Sequence, residues 1–239
     1  MAAKPRFRIR VLVFGVIATG TASLAFASAS LADTGSVYFD ADGNAAAGGS
    51  FFPFGFGGFR NVGLGAKVFP NLLSAADNVA VGDGALNADT GSQNDIAIGS
   101  NALSSMVAGG NQNIAIGSQA LNDSTTGDNN IATGFQALSS NTIGNDNIAA
   151  GANALNDNTS GDENLALGKG ALTNAELADD NVAIGLHALF ANTTGLSNTA
   201  LGQGALNSNT GGDGNIAIGA GAGANLTTGD DNIDIGNVG

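Results

Sequence analysis

The side chains that could do chemistry in this sequence are its twenty acids, its many asparagines and a single histidine, His187. Cysteine is absent, so there is no disulfide framework, thiolate metal site or cysteine nucleophile. One histidine cannot build a His-based zinc site, and His187 stands where other stretches of similar sequence carry Gln136, Asn153 or Gly170. That is the behaviour of an exposed, interchangeable position. Serine and threonine are plentiful, but none has a base and an orienting acid placed beside it in a recurring way. No catalytic residue, cofactor or metal ligand is therefore assigned. The acids are the remaining candidates. Asp77, Asp128, Asp146, Asp162 with Glu163, Asp179 with Asp180, Asp213, and Asp230 with Asp231 each precede an asparagine at a regular interval. Calcium takes carboxylate and backbone oxygens on loops, so Asp128, Asp146, Asp162, Asp179, Asp180, Asp230 and Asp231 are candidates for Ca²⁺. A solvated acidic edge explains the same residues, and Leu196-Ser197 and Gln93-Asn94 interrupt the series.

The interval itself carries more information. The motif Asn-aliphatic-Ala-aliphatic-Gly begins at Asn61, Asn78, Asp95, Asn113, Asn130, Asn147, Asn164, Asn181, Asn198, Asn215 and Asn232. Every step is 17 residues except the 18 from Asp95 to Asn113. Position 5 is glycine in every copy: Gly65, Gly82, Gly99, Gly117, Gly134, Gly151, Gly168, Gly185, Gly202, Gly219 and Gly236. Position 3 is usually Ala, position 8 usually Ala and position 9 usually Leu. Near position 12 come Asn-Thr pairs such as Asn141-Thr142 and Asn158-Thr159, followed by glycine. A degenerate copy, Asn44 to Gly48, lies 17 residues ahead of Asn61.

A fixed period with two short apolar pieces and two glycine-bearing corners predicts an all-β chain, a parallel β-solenoid of about eleven 17-residue coils over residues 61–239. In Ile114-Ala115-Ile116 the strand alternation puts both isoleucines on one face and Ala on the other. The large aliphatics are expected to turn inward. The alanine columns at positions 3 and 8 then either fill a narrow interior or mark where a sister chain packs. Glycine at position 5 suits a positive-φ corner, and Asn-Thr-x-Gly is turn chemistry. Stacking converts position 1 into a column of amides, each able to bond the next. Asp95 breaks that column, with Asn94 adjacent to replace it. Three large apolar side chains contribute roughly 5–9 kcal/mol per coil, against roughly 17–34 kcal/mol for ordering 17 residues. One coil cannot stand alone, and a slim rod gains from association with copies of itself.

The strand Asn-Ile-Ala-Ile-Gly, at Asn113 to Gly117 and Asn215 to Gly219, resembles the head repeat of trimeric autotransporter adhesins, the YadA-like head. Similar arrays occur in tail-fibre-like proteins. The resemblance spans Asn61 to Gly239 and implies a left-handed roll, a homotrimer and display on the surface of Gram-negative bacteria, where a host or matrix surface would be the partner. The family's repeat is usually shorter, and the sequence runs to Asn237-Val238-Gly239 without a heptad stalk, barrel strands or chaperone segment. Self-anchoring in a membrane is accordingly not expected from these residues. Gly211-Gly212-Asp213-Gly214-Asn215 is similar to a calcium-binding nonapeptide repeat, but Ile216 stands where that motif needs aspartate.

The first 32 residues have a different character. Lys4, Arg6, Arg8 and Arg10 precede an apolar run from Val11 to Ala27, and small residues follow to Ala32. This is the layout of a secretory signal peptide, and it predicts a secreted or surface protein. Arg60, Lys67 and Lys169 then face all twenty acids, a balance that repels nucleic acid and anionic lipid. Residues 33–60 form an N-terminal segment. It reads as a short strand at Ser36 to Asp40, a turn at Asp42-Gly43, and a Phe/Gly-rich plug from Phe51 to Phe59 over the end of the rod. The function expected is structural or adhesive. The alternatives are a phage-type fibre or spike segment and a Ca²⁺-binding extracellular solenoid. A polysaccharide-cleaving solenoid would need paired carboxylates and stacking aromatics, whereas these coils offer Phe69, Phe135 and Phe190. An ice-binding face fails at Glu176, which interrupts the threonine series.

Overall fold

A computed structural model describes residues 37–49, 57–107 and 109–236. The expected signal peptide and most of the Phe/Gly-rich plug lie outside these residues. The described chain is all-β and contains no helix. Its strands are β1 (Val37–Phe39), β2 (Ala45–Ala47), β3 (Val62–Leu64), β4 (Val79–Val81), β5 (Ile96–Ile98), β6 (Ile114–Ile116), β7 (Ile131–Thr133), β8 (Ile148–Ala150), β9 (Leu165–Leu167), β10 (Val182–Ile184), β11 (Thr199–Leu201), β12 (Ile216–Ile218) and β13 (Ile233–Ile235). They form one sheet in sequence order. From β2 onward every neighbour is parallel and in register, so Ile114 lies beside Ile131 and Ile131 beside Ile148. Each step along the sheet is one turn of the chain: the protein is a β-solenoid. The turns are numbered from coil 1 at Asn61 to coil 11 at Asn232, with an additional rung before them. That rung is the degenerate copy at Asn44, whose β2 pairs with β3 in the same register as the rest. The stack thus begins one turn earlier than residue 61. β1 folds back antiparallel on β2 through the turn at Asp42-Gly43, so it covers the strand edge at that end.

Hydrogen bonding continues around the coil beyond the three-residue strands. Leu138 N–H donates to Ala154 O at 2.9 Å, Ser140 N–H to Asn156 O at 3.0 Å, Thr142 N–H to Thr159 O at 2.9 Å and Asp146 N–H to Asp128 O at 3.1 Å. The stack satisfies backbone groups that a lone coil would leave open.

The faces of the strand are the reverse of the sequence expectation. Ala80, Ala97, Ala115, Ala132 and their equivalents are fully buried, together with the Ala at position 8 and the Leu at position 9. The aliphatics at positions 2 and 4 point outward: Ile98, Ile116, Ile148, Leu201, Ile216 and Ile218 are about 40% exposed despite a neighbour above and below. The reason is the small cross-section of a 17-residue coil. Its lumen already holds one Leu and the amide columns, and only a methyl group fits at position 3. The alanine columns are interior filling, and the apolar side chains available to a second chain are the isoleucines.

Left-handed residues turn each coil at positions 5, 7, 9 and 17, and two of these positions face the packing of the stack. Gly117 has φ +140°, and a Cβ there would sit 2.4 Å from the carbonyl oxygen of Gly134 in the next coil. Both conformation and stacking exclude any side chain. The other corner was not anticipated: the position-9 leucines, Leu138 at φ +51° among them, occupy the left-handed region. That conformation costs roughly 1–2 kcal/mol for a residue with a Cβ. Burial of the Leu side chain outweighs it.

Candidate functional site

The features able to recognise or respond to something are four polar columns, one irregular core position and two surfaces. Position 1 is the amide column expected from the repeat. Asn130 Oδ1 accepts the Asn147 backbone N–H at 3.0 Å and Asn147 Nδ2 at 3.2 Å, while Asn147 Nδ2 also donates to Gly161 O across the coil at 2.7 Å. Asn61, Asn78, Asn113, Asn130, Asn147, Asn164, Asn181, Asn198 and Asn215 are all buried in this way, and Asn232 is partly covered at the last rung. The corner glycines, Gly65 to Gly236 in the eleven copies, line up beside it with positive φ.

A second buried column runs at position 12, where the sequence alone predicts turn chemistry. Asn158 Oδ1 does accept the Gly161 N–H at 3.1 Å, which is that turn. Its Nδ2 also donates to Asn141 Oδ1 of the previous coil at 2.8 Å. Asn192 and Asn209 repeat the arrangement at 3.0 Å. The signal available in the sequence was the recurrence of Asn at a fixed position, which a solvent-facing turn would not require.

The acids separate into two columns. Asp128, Asp162, Asp179, Asp213 and Asp230 occupy position 16, and Asp77, Asp146, Glu163, Asp180 and Asp231 occupy position 17, each with positive φ. At position 16 the carboxylates have a structural task. Asp162 Oδ1 accepts the Asn145 N–H at 2.6 Å, Asp179 Oδ1 the Asp162 N–H at 2.8 Å, and Asp230 Oδ1 the Asp213 N–H at 2.9 Å. Asn111 and Asn145 use amide oxygens for the same purpose. Among the described residues no three acids or histidines gather into a metal-sized cluster. His187 is exposed, and its ring lies 5.1 Å from that of Phe190. Near coil 3 the acids give way to amides, and Gln93, Asn94, Asn111, Gln112, Asp128 and Asn129 line a shallow polar groove of about 290 Å³.

The irregular core position is Asp95. Asn94 does not take its place, because Asn94 sits in the left-handed conformation of position 17 (φ +61°). Asp95 keeps the column and is fully buried. Its backbone N–H donates to Asn78 Oδ1 at 2.8 Å, and its Oδ1 accepts the Asn113 N–H at 2.8 Å. Asp89, at position 12 of the preceding coil, is buried as well, and its Oδ1 accepts the N–H groups of Gly91 and Ser92. Asp89 Oδ2, Asp95 Oδ2 and the intervening Ser92 Oγ lack hydrogen-bond partners. Burial pushes the Asp95 carboxyl up to about 7, with Asp89 adding to the rise and Ser92 and Asn113 opposing it. Burial raises Asp89 also, against the opposing effect of Ser92, Gly91 and Thr90. The Ser92 hydroxyl is close enough to influence both carboxyls, although its Oγ meets neither in hydrogen-bond geometry.

The two surfaces are the outward aliphatic stripe of positions 2 and 4 and a sparser row at the opposite turn. In that row Leu73, Val107, Ile143 and Leu177 are exposed on alternate coils. No helix among the described residues is long and apolar enough to cross a membrane. No family model, curated protein or solved structure matches the chain.

Proposed function

We propose that this chain is a non-enzymatic, exported rod of the adhesin-head type that assembles with copies of itself, as a trimer, and presents its turns to a host or matrix surface. One observation carries the reading: the outward Ile, Val and Leu stripe that runs in register along most of the stack, broken at Thr133, Ala150 and Thr199. A soluble monomer rarely leaves so long an apolar band uncovered. The adjoining surfaces carry Thr, Asn and Asp, so an assembly built on the stripe would have an acidic, hydrated exterior. The basic-apolar-small layout of residues 1–32 supplies the route out of the cell. Three copies around one axis bring three stripes together and leave the turns at positions 12 to 17 free for contact.

The test is light scattering on the exported chain, followed by binding to immobilised matrix proteins and host-cell surfaces. A mass of three chains with surface binding supports the reading. A well-folded monomer that binds none of these surfaces overturns it.

A further inference from the structure

We propose that Asp89 and Asp95 form a proton-holding lock in the core between coils 2 and 3, which tightens the stack in mildly acidic surroundings and loosens it as the pH rises to neutral. The argument begins with what the repeat puts at these two positions. At position 1 the regular residue is Asn, whose Nδ2 donates across the coil: Asn78 to Ser92 O at 3.0 Å and Asn113 to Gly127 O at 2.8 Å. At position 12, Asn158 Nδ2 donates to Gly161 O at 3.0 Å and to Asn141 Oδ1. Aspartate in either place keeps the accepting oxygen and replaces the donating nitrogen with a second acceptor. Asp95 Oδ1 and Asp89 Oδ1 are indeed engaged like the amide oxygens they replace, and both Oδ2 atoms are left without partners. A carboxyl at either place recovers the lost donor only by carrying a proton.

The surroundings favour a proton over a metal ion or water. Both carboxyls are wholly inaccessible, and the column that holds Asp89 has buried Leu72 one coil before and buried Met106 one coil after. Asp89 is the titratable group acting on Asp95, and the remaining neighbours are neutral: Ser92 and Asn113 around Asp95, with Ser92, Gly91 and Thr90 around Asp89. Ser92 Oγ, itself unpartnered, is close enough to influence both carboxyls. Two like charges here would face each other without a counter-ion in a low-dielectric core. The folded state therefore holds protons that the unfolded chain has released.

Both substitutions that remove the device are residues the repeat uses itself, so the coil accommodates them. Asp89→Asn/Asp95→Asn is compared with the parent chain in urea unfolding from about pH 5.5 to about pH 8, a window in which exposed carboxylates are already ionised. The parent midpoint falls from the acid end of this window to about neutral, where the unfolding constant grows by up to about tenfold per pH unit for each retained proton, and levels off above it. The double variant stays flat, and His187→Gln in the parent background leaves the fall unchanged. Infrared spectra of the folded parent near pH 6 show the protonated-carboxyl stretch, which the double variant lacks. A parent without that band, or with a flat midpoint, overturns the proposal. So does a parent midpoint at pH 8 that millimolar Ca²⁺ restores while leaving the double variant unmoved, because the pair would then hold a cation.

Discussion

At the scale of the residue, the repeat imposes its chemistry through single atoms. Gly117 shows the steric half of this. A methyl group there meets the Gly134 carbonyl oxygen at 2.4 Å in a conformation that side chains avoid. Gly117→Ala is expected to lower stability in urea unfolding by about 1–3 kcal/mol from strain alone, with the clash adding to it. Asp95 shows the electrostatic half. Its carboxyl rises from 3.8 to about 7 on folding. The folded state thus binds more protons than the unfolded one between those values, and stability declines as pH climbs through that interval. The loss is on the order of 4 kcal/mol by 1.36 kcal/mol per unit. It is complete above the folded value and absent below the unfolded one. The same argument applies to any rung: Asn147→Asp should create a new fall in stability as pH rises above the ordinary carboxyl value, whereas Asn147 itself contributes none. The asparagines of position 1 were legible in the sequence because a fixed period lines them up whatever the coil's shape. The raised carboxyl of Asp95 was not, since it depends on whether the neighbouring amide can slip in. The left-handed turn that holds Asn94 prevents that.

At the scale of the coil, the decisive quantity is the width of the lumen. Alternation in Ile114-Ala115-Ile116 distinguishes two faces but cannot say which is inside, because the usual rule that larger apolar groups are buried favours isoleucine. The closed turn admits one large side chain in most rungs, with Leu72 and Met106 adding a second in coils 1 and 3, and Leu at position 9 takes that room by adopting a left-handed conformation that leucine otherwise avoids. Nothing in local propensity announces this. Leu138→Ala should therefore cost about 2–5 kcal/mol, as for a fully buried leucine, measured by denaturant unfolding. Ile116→Ser on the outer face of the same stack should cost far less in a monomeric form. The acid columns make a similar point about surfaces. A carboxylate such as Asp179, whose Oδ1 holds the Asp162 N–H of the adjacent coil, has that oxygen already committed to the stack. Calorimetric titration with Ca²⁺ is expected to be silent at millimolar metal. Heat saturating at one ion per few coils would instead restore the calcium reading of these acids.

At the scale of the whole molecule, the inward turn of alanine and the outward turn of isoleucine have one consequence for assembly. Eleven rungs at about 4.8 Å make a stripe on the order of 50 Å long, and a three-residue strand makes it about 10 Å wide. A pair of such stripes would bury on the order of 1,000 Å², near the lower end for a specific protein interface. Three stripes around one axis enclose a common apolar core with no open side, and that arrangement is the more stable use of the same residues. Charge placed on this face separates assembly from folding, because positions 2 and 4 contribute little to the interior of their own coil. Ile116→Lys with Ile148→Lys puts two positive charges per chain into the shared core while leaving Ala115, Ala149 and the amide ladder untouched. Under the proposed trimeric assembly, light scattering should report three chains for the parent and single chains for this variant. Circular dichroism should retain the β spectrum, and the melting temperature should lose its dependence on protein concentration. A double variant that keeps the parent's mass would place the contacts between chains elsewhere, with the alternate-coil row of Leu73, Val107, Ile143 and Leu177 as the next surface to charge.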